Sequence, residues 1–158
     1  MPRTIPVRQV MTTDVVAFGV DDTVQHAMQQ LVARSVDAAP VVDDGGRVVG
    51  MLSTGDLIVQ ESQLHFPTVI SLFGAYLELP SSARHFDEDI EKALGSKVGE
   101  VMAEEPVTCG EDDTLERAAT LMHEHDVSRL PVVRDDRLVG IVSRGDIVRA
   151  IISEKAAP

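Results

Sequence analysis

The sequence predicts an α/β (α+β) fold of two tandem β-α-β-β-α repeats, packed with pseudo-twofold symmetry through their sheets. Three observations predict it. The chain matches itself when slid by about 91 residues. Each copy holds a stretch with apolar residues at helical spacing. Each copy then holds two β-branched runs joined by a polar turn, the pattern of a hairpin.

The elements follow in order. Val7–Met11 falls on Val98–Met102, and Asp21-Asp22-Thr23 falls on Asp112-Asp113-Thr114. The aspartates read as capping boxes opening the first helix, Asp22 with Gln25 and Asp113 with Glu116. The buried helix face is expected to hold Val24, Ala27, Met28 and Leu31 in one copy, and Leu115, Ala118, Ala119 and Met122 in the other. Pro40-Val41-Val42 and Pro131-Val132-Val133 start the hairpins, which turn at Asp43–Gly46 and Arg134–Asp136 and return through Val48–Leu52 and Leu138–Val142. Ser53 and Ser143 then open a second helix, Thr54 to about Ser62 and Arg144 to about Glu154. The domains are thus 1–61, an insertion at 62–96, and 97–158. A unit of about 50 residues buries too little surface to be comfortably stable alone, so the two copies are expected to share a core.

Composition excludes several classes. The 158 residues carry 14 Lys+Arg against 26 Asp+Glu, a formal net charge of -12. Such a chain repels nucleic acid and anionic lipid over long range. Aromatics are 3% of residues, so the core must be aliphatic. The single Cys109 excludes an internal disulfide and suits a reducing, cytoplasmic setting. Met1–Met11 does not resemble a signal peptide, and no apolar run reaches the roughly 18–20 residues that cross a bilayer.

Val10-Met11-Thr12, the two D-D-T starts, A-A-P-V-V-D (38–43), S-R-L-P-V-V (128–133), G-M-L-S-T-G-D (50–56) and G-I-V-S-R-G-D (140–146) together resemble a tandem pair of CBS domains, a Bateman module. The likeness covers about two thirds of the chain. It implies a non-catalytic regulator that binds adenosine-containing ligands: AMP, ADP, ATP or S-adenosylmethionine. These are regulatory ligands, and no cofactor is required. It implies a homodimer and an effector protein of unknown identity. In the family each cleft is built across the seam between repeats. Carried over, one cleft combines Ser53, Thr54 and Asp56 with Val107, Ser128, Arg129, Leu130 and Pro131. The other combines Ser143, Arg144 and Asp146 with Val16, Asp37, Ala38, Ala39 and Pro40. Ala38 stands where Arg129 stands in the other copy, and Asp37 adds negative charge. The Asp56–Arg129 cleft is therefore expected to take a phosphorylated adenosine at least as well.

The motif has a physical reading. In S-x-x-D the hydroxyl sits at a helix N-terminus, beside unpaired N–H groups that favour phosphate. The carboxylate one turn on can accept hydrogen bonds from a ribose diol, and Arg129 or Arg144 can hold phosphate by a charge-assisted fork. The same serine and aspartate also make a capping box that needs no ligand. The alternative reading is therefore a structural dimerisation module with empty or vestigial clefts.

The unmatched middle holds Phe66, Phe73, Tyr76 and Phe86, four of the five Phe and Tyr residues. It reads as a lid on the module's core or as a dimer or partner surface. No catalytic or metal constellation stands out. His123 and His125 are spaced i, i+2, on different faces of a helix, and Cys109 reads as a buried structural thiol.

Overall fold

A computed structural model describes residues 4–55 and 95–156. The expectations for the insertion's aromatic residues, and for Asp56 and the rest of its helix, lie outside the described residues. The elements are β1 (Phe18–Gly19), α1 (Val24–Ala33), β2 (Ala38–Val42), β3 (Val48–Ser53), α2 (Val98–Val101), β4 (Ala103–Glu104), β5 (Cys109–Gly110), α3 (Leu115–His125), β6 (Arg129–Arg134), β7 (Arg137–Ser143) and α4 (Arg144–Ala156). One sheet has the order β1-β2-β3-β4 and the other β5-β6-β7.

The chain divides into two compact units. One joins Met1–Ala17, Val42–Val49 and Glu105–Pro158; the other joins Phe18–Val41 and Gly50–Glu104. Each unit thus takes its lead-in from one sequence repeat and most of its body from the other.

In the first unit the N-terminal lead-in docks on the second repeat. Val7, fully buried in a single 3-10 turn, donates its N–H to the Asp113 carbonyl at 2.8 Å. Thr12 pairs with Ile141 through two backbone bonds of 2.9 Å, taking a place beside β7. Strand β5 runs parallel to β6, with Cys109 opposite Val132, and α3 makes the crossover that parallel strands require. Strands β6 and β7 form an antiparallel hairpin, with Arg129 opposite Ser143 and a register shift between Val132 and Val133. Its two-residue turn is Asp135-Asp136, with φ of 52° and 64°, the doubly left-handed turn that matches strand twist. The core gathers Val7, Cys109, Leu115, Ala118, Leu121, Met122, Leu130, Val132, Val142 and Ile147.

The second unit repeats these contacts. Val98 donates to the Asp22 carbonyl at 2.8 Å, as Val7 does to Asp113. Strand β4 pairs antiparallel with β3, Met51 opposite Ala103, as Thr12 pairs with Ile141. Phe18, Val24, Ala27, Met28, Leu31, Ala39, Val41, Leu52 and Val98 are buried. The β2–β3 turn, which belongs to the first unit, is held by Asp43, whose Oδ1 accepts from Gly45 and Arg47 N–H at 2.9 and 3.0 Å, while Gly46 takes φ +80°.

Two local readings are corrected. The caps of α1 and α3 are Thr23 and Thr114, whose hydroxyls accept from His26 and Arg117 N–H at 3.2 and 3.1 Å. Asp22 and Asp113 instead turn back and accept from Gly19 and Gly110 N–H at 2.8 Å each. The D-D-T triplet offers consecutive side-chain acceptors, and the threonine, in extended backbone just before the first turn, is the one placed to cap. On α3, Leu121 is buried and Ala119 exposed, so the core stripe is Leu115, Ala118, Leu121 and Met122. The face Val24, Ala27, Met28 and Leu31 of α1 is buried as expected.

Candidate functional site

The best-defined constellation lies at the start of α4. Strand β7 ends at Ser143, and α4 begins at Arg144. Ser143 Oγ accepts from Asp146 N–H at 3.2 Å, and Asp146 Oδ2 accepts from Ser143 N–H at 2.9 Å. This is the reciprocal bonding of a capping box. It fixes Asp146 with its side chain only 11% exposed, and its other oxygen, Oδ1, pairs with the Arg149 guanidinium. Arg144 N–H donates to the Ser128 carbonyl at 2.9 Å, which ties the helix start to the strand before it. The Arg144 side chain is exposed and makes no ion pair among the described residues.

The equivalent place in the other unit is partly described. Ser53 ends β3, half-buried, and Thr54 N–H donates to the Asp37 carbonyl at 2.9 Å, as Arg144 does to Ser128. Asp37 is exposed and Ala38 half-buried.

The remaining predicted residues divide by burial. Val16 and Val107 are half-buried, Ser128 is exposed and Arg129 half-buried opposite Ser143. Leu130, Pro131, Ala39 and Pro40 are buried, Leu130 at 0% exposure inside the core cluster. These four side chains pack into the protein, so only their backbone can face a ligand. Each unit thus brings an S-x-x-D serine beside the pre-proline segment of its own repeat. Sequence reasoning missed Arg149. The available signal was its i, i+3 spacing from Asp146 on a helix.

Among the described residues, no group of three His, Cys, Asp or Glu side chains stands together to hold a metal. Cys109 is 3% exposed, and burial, reinforced by the Asp113 carboxylate, pushes its thiol up to about 12. It is therefore no nucleophile at neutral pH. At the end of β5, Glu111 takes a two-pronged bond from Arg134, Nε to Oε1 at 2.5 Å and Nη2 to Oε2 at 2.7 Å, which lowers its pKa. No helix among the described residues is long and apolar enough to cross a membrane.

Comparison with known proteins supplies the family. The CBS domain model matches residues 7–61 and 98–153. YhcV of Bacillus subtilis, a CBS domain-containing protein, is 30% identical over 151 residues, which cover 96% of this chain and 89% of that protein. The chloroplastic CBSX2 of Arabidopsis thaliana is 34% identical over 142 residues, covering 84% of this chain but 57% of CBSX2. The crystal structure of CBSX2 in complex with AMP superposes with a TM-score of 0.71 at 30% identity, covering 95% of this chain and 98% of that one. Two matched stretches in one chain, a mixed α/β fold shared with CBS-pair structures and the same S-x-x-D in both copies converge: the chain belongs to the CBS domain family and carries two CBS domains.

Proposed function

We propose that this chain is a non-catalytic regulatory module that binds an adenosine-containing ligand at the S-x-x-D helix starts and signals to a partner protein. The observation that carries the reading is the arrangement at α4, in a chain whose relative CBSX2 was solved with AMP. There Asp146 is held by Ser143, and Arg144, between them in sequence, is exposed. In this reading Asp146 accepts from the ribose hydroxyls and the Arg144 side chain takes phosphate; the Arg144 and Asp146 N–H groups are already given to the Ser128 carbonyl and Ser143 Oγ. Ser53, Thr54 and Asp56 are the corresponding set of the first repeat. AMP, ADP, ATP and S-adenosylmethionine are the candidate ligands. In so acidic a chain an anionic nucleotide needs this local positive field.

The partner surface is supported by α4 itself, where Val148, Ile151 and Ile152 are exposed at 52%, 37% and 60%. A second copy of the chain is the first candidate to cover it, and an effector protein the next.

A second reading, a structural module with empty clefts, is favoured by one fact: Ser143 and Asp146 satisfy each other without a ligand. Thermal unfolding separates the two, because a ligand bound only by the folded form must raise its melting temperature. AMP, ATP and S-adenosylmethionine are titrated into the chain and into Asp56→Ala and Asp146→Ala. A rise for at least one ligand that Asp56→Ala or Asp146→Ala diminishes supports the binding reading. No rise, or a rise equal in both variants and the parent, overturns it.

A further inference from the structure

The binding reading leaves Arg149 unused, yet Arg149 is bound to the carboxylate on which that reading depends. Oδ2 of Asp146 is committed to the Ser143 N–H at 2.9 Å, and Oδ1 to the Arg149 guanidinium. The guanidinium lies back over the first turn of α4: a Cβ on Gly145 would sit 3.2 Å from Arg149 Nη1. The absence of a Cβ at Gly145 leaves the guanidinium room to lie this close to the helix backbone. The cap does not require this arginine. The corresponding residue of the first repeat, read from the sequence, is Val59, and Thr54 stands in place of Arg144.

Resting on the binding reading above, we propose that Arg149 is a specificity-determining latch on Asp146, admitting ribose ligands that carry an adjacent anion and disfavouring uncharged ones. The reason is a charge balance. A ribose diol that binds Oδ1 competes with the guanidinium for that oxygen. A neutral nucleoside replaces an ion pair with bonds from uncharged hydroxyls and leaves the arginine without its anion. A nucleoside phosphate brings an anion to the helix start, where Arg149 already lies, so the arginine exchanges one anion for another. Arg149 is 71% exposed, which gives it the freedom to swing between them.

The test is calorimetry with adenosine and with AMP on the full chain carrying Asp56→Ala, so that only the α4 site is read. The same background is then combined with Arg149→Met, Arg149→Lys and Asp146→Ala. Arg149→Met is expected to tighten adenosine about threefold, the size of an exposed ion pair, and to weaken AMP about tenfold, the size of a charge-assisted contact. The AMP-to-adenosine preference then falls by about thirtyfold, the product of the two effects, and Arg149→Lys retains part of it. An unchanged preference in Arg149→Met, with binding lost in Asp146→Ala, overturns the latch and leaves the binding reading intact. Absence of binding in the background chain, or binding unaffected by Asp146→Ala, overturns the α4 site and the latch together.

Discussion

Met11 lies directly over Gly140. A Cβ built on that glycine would stand 2.6 Å from Met11 Sδ and 2.9 Å from the Thr12 carbonyl oxygen. The contact is duplicated in the other unit, where Gly50 faces Met102 and the Ala103 carbonyl. The methionine at the start of each repeat thus packs on a strand glycine of the other repeat. These are the V-M and G-x-x-S signatures of the sequence, and the contact explains why both appear in both copies.

Gly140→Ala should therefore destabilise. The Sδ end of Met11 can shift, but the Thr12 carbonyl is fixed by its bonds with Ile141 and cannot. Overpacking of this kind costs roughly 1–3 kcal/mol. Gly50→Ala should cost a similar amount, because the Ala103 carbonyl stands at the same 2.9 Å. Urea denaturation measures both. If Met11→Ala restores stability to Gly140→Ala, the clash is with the sulfur; if it does not, the carbonyl dominates, as expected here.

Ser143→Ala removes one half of the reciprocal cap at α4. Asp146 N–H loses its acceptor, while Ser143 N–H keeps Asp146 Oδ2 through the backbone. The expected loss is about 1 kcal/mol. Ser143→Thr keeps the hydroxyl and should recover most of it. Equal stability of Ser143→Ala and the parent chain, measured without ligand, would show that the cap contributes nothing and that the serine is retained for another reason.

What was legible in the sequence follows the range of the interaction. The faces of α1 and the two hairpins were readable because their periodicity is local, and Val24, Ala27, Met28 and Leu31 are buried together. The helix caps were misread by one residue because Asp22 and Thr23 both offer oxygen, and only backbone conformation chooses between them. The exchange of lead-ins was invisible. Val7 bonding to Asp113, and Met11 packing on Gly140, join residues far apart in the chain, and nothing local marks either partner. At the candidate site, Ser143 and Asp146 were found as a motif, yet the same motif could not say that Leu130 and Ala39 would be core residues. Burial of those two is set by the sheet, not by their neighbours in sequence.

Cys109 supplies a pH-dependent prediction. Its folded thiol is raised from 9.0 to about 12 by burial. The unfolded chain therefore releases the proton first, and the stability tied to the neutral thiol is fully present below pH 9 and lost as pH rises toward 12. The stability advantage of the parent chain over Cys109→Ala should shrink over that window. At pH 8 a thiol reagent should label Cys109 only after denaturant is added. Rapid labelling of the native chain would contradict the burial.

Glu111 and Arg134 give the opposite sign. The Arg134 fork, with a smaller contribution from the charge of Arg8, holds the Glu111 carboxyl below its ordinary value. The pair joins the ends of β5 and β6, where Glu111 N–H also donates to the Val133 carbonyl at 3.2 Å. A depressed carboxylate stabilises the fold above its unfolded pKa, and the stabilisation disappears as pH falls through the folded value. Because Arg134 is 62% exposed, solvent screens the pair and salt weakens it. A carbon-13 titration of the Glu111 carboxyl should show a midpoint below the ordinary 4.5, rising in Arg134→Met and rising also in high salt. A midpoint that Arg134→Met leaves in place would assign the depression to the backbone around Glu111 rather than to the guanidinium fork.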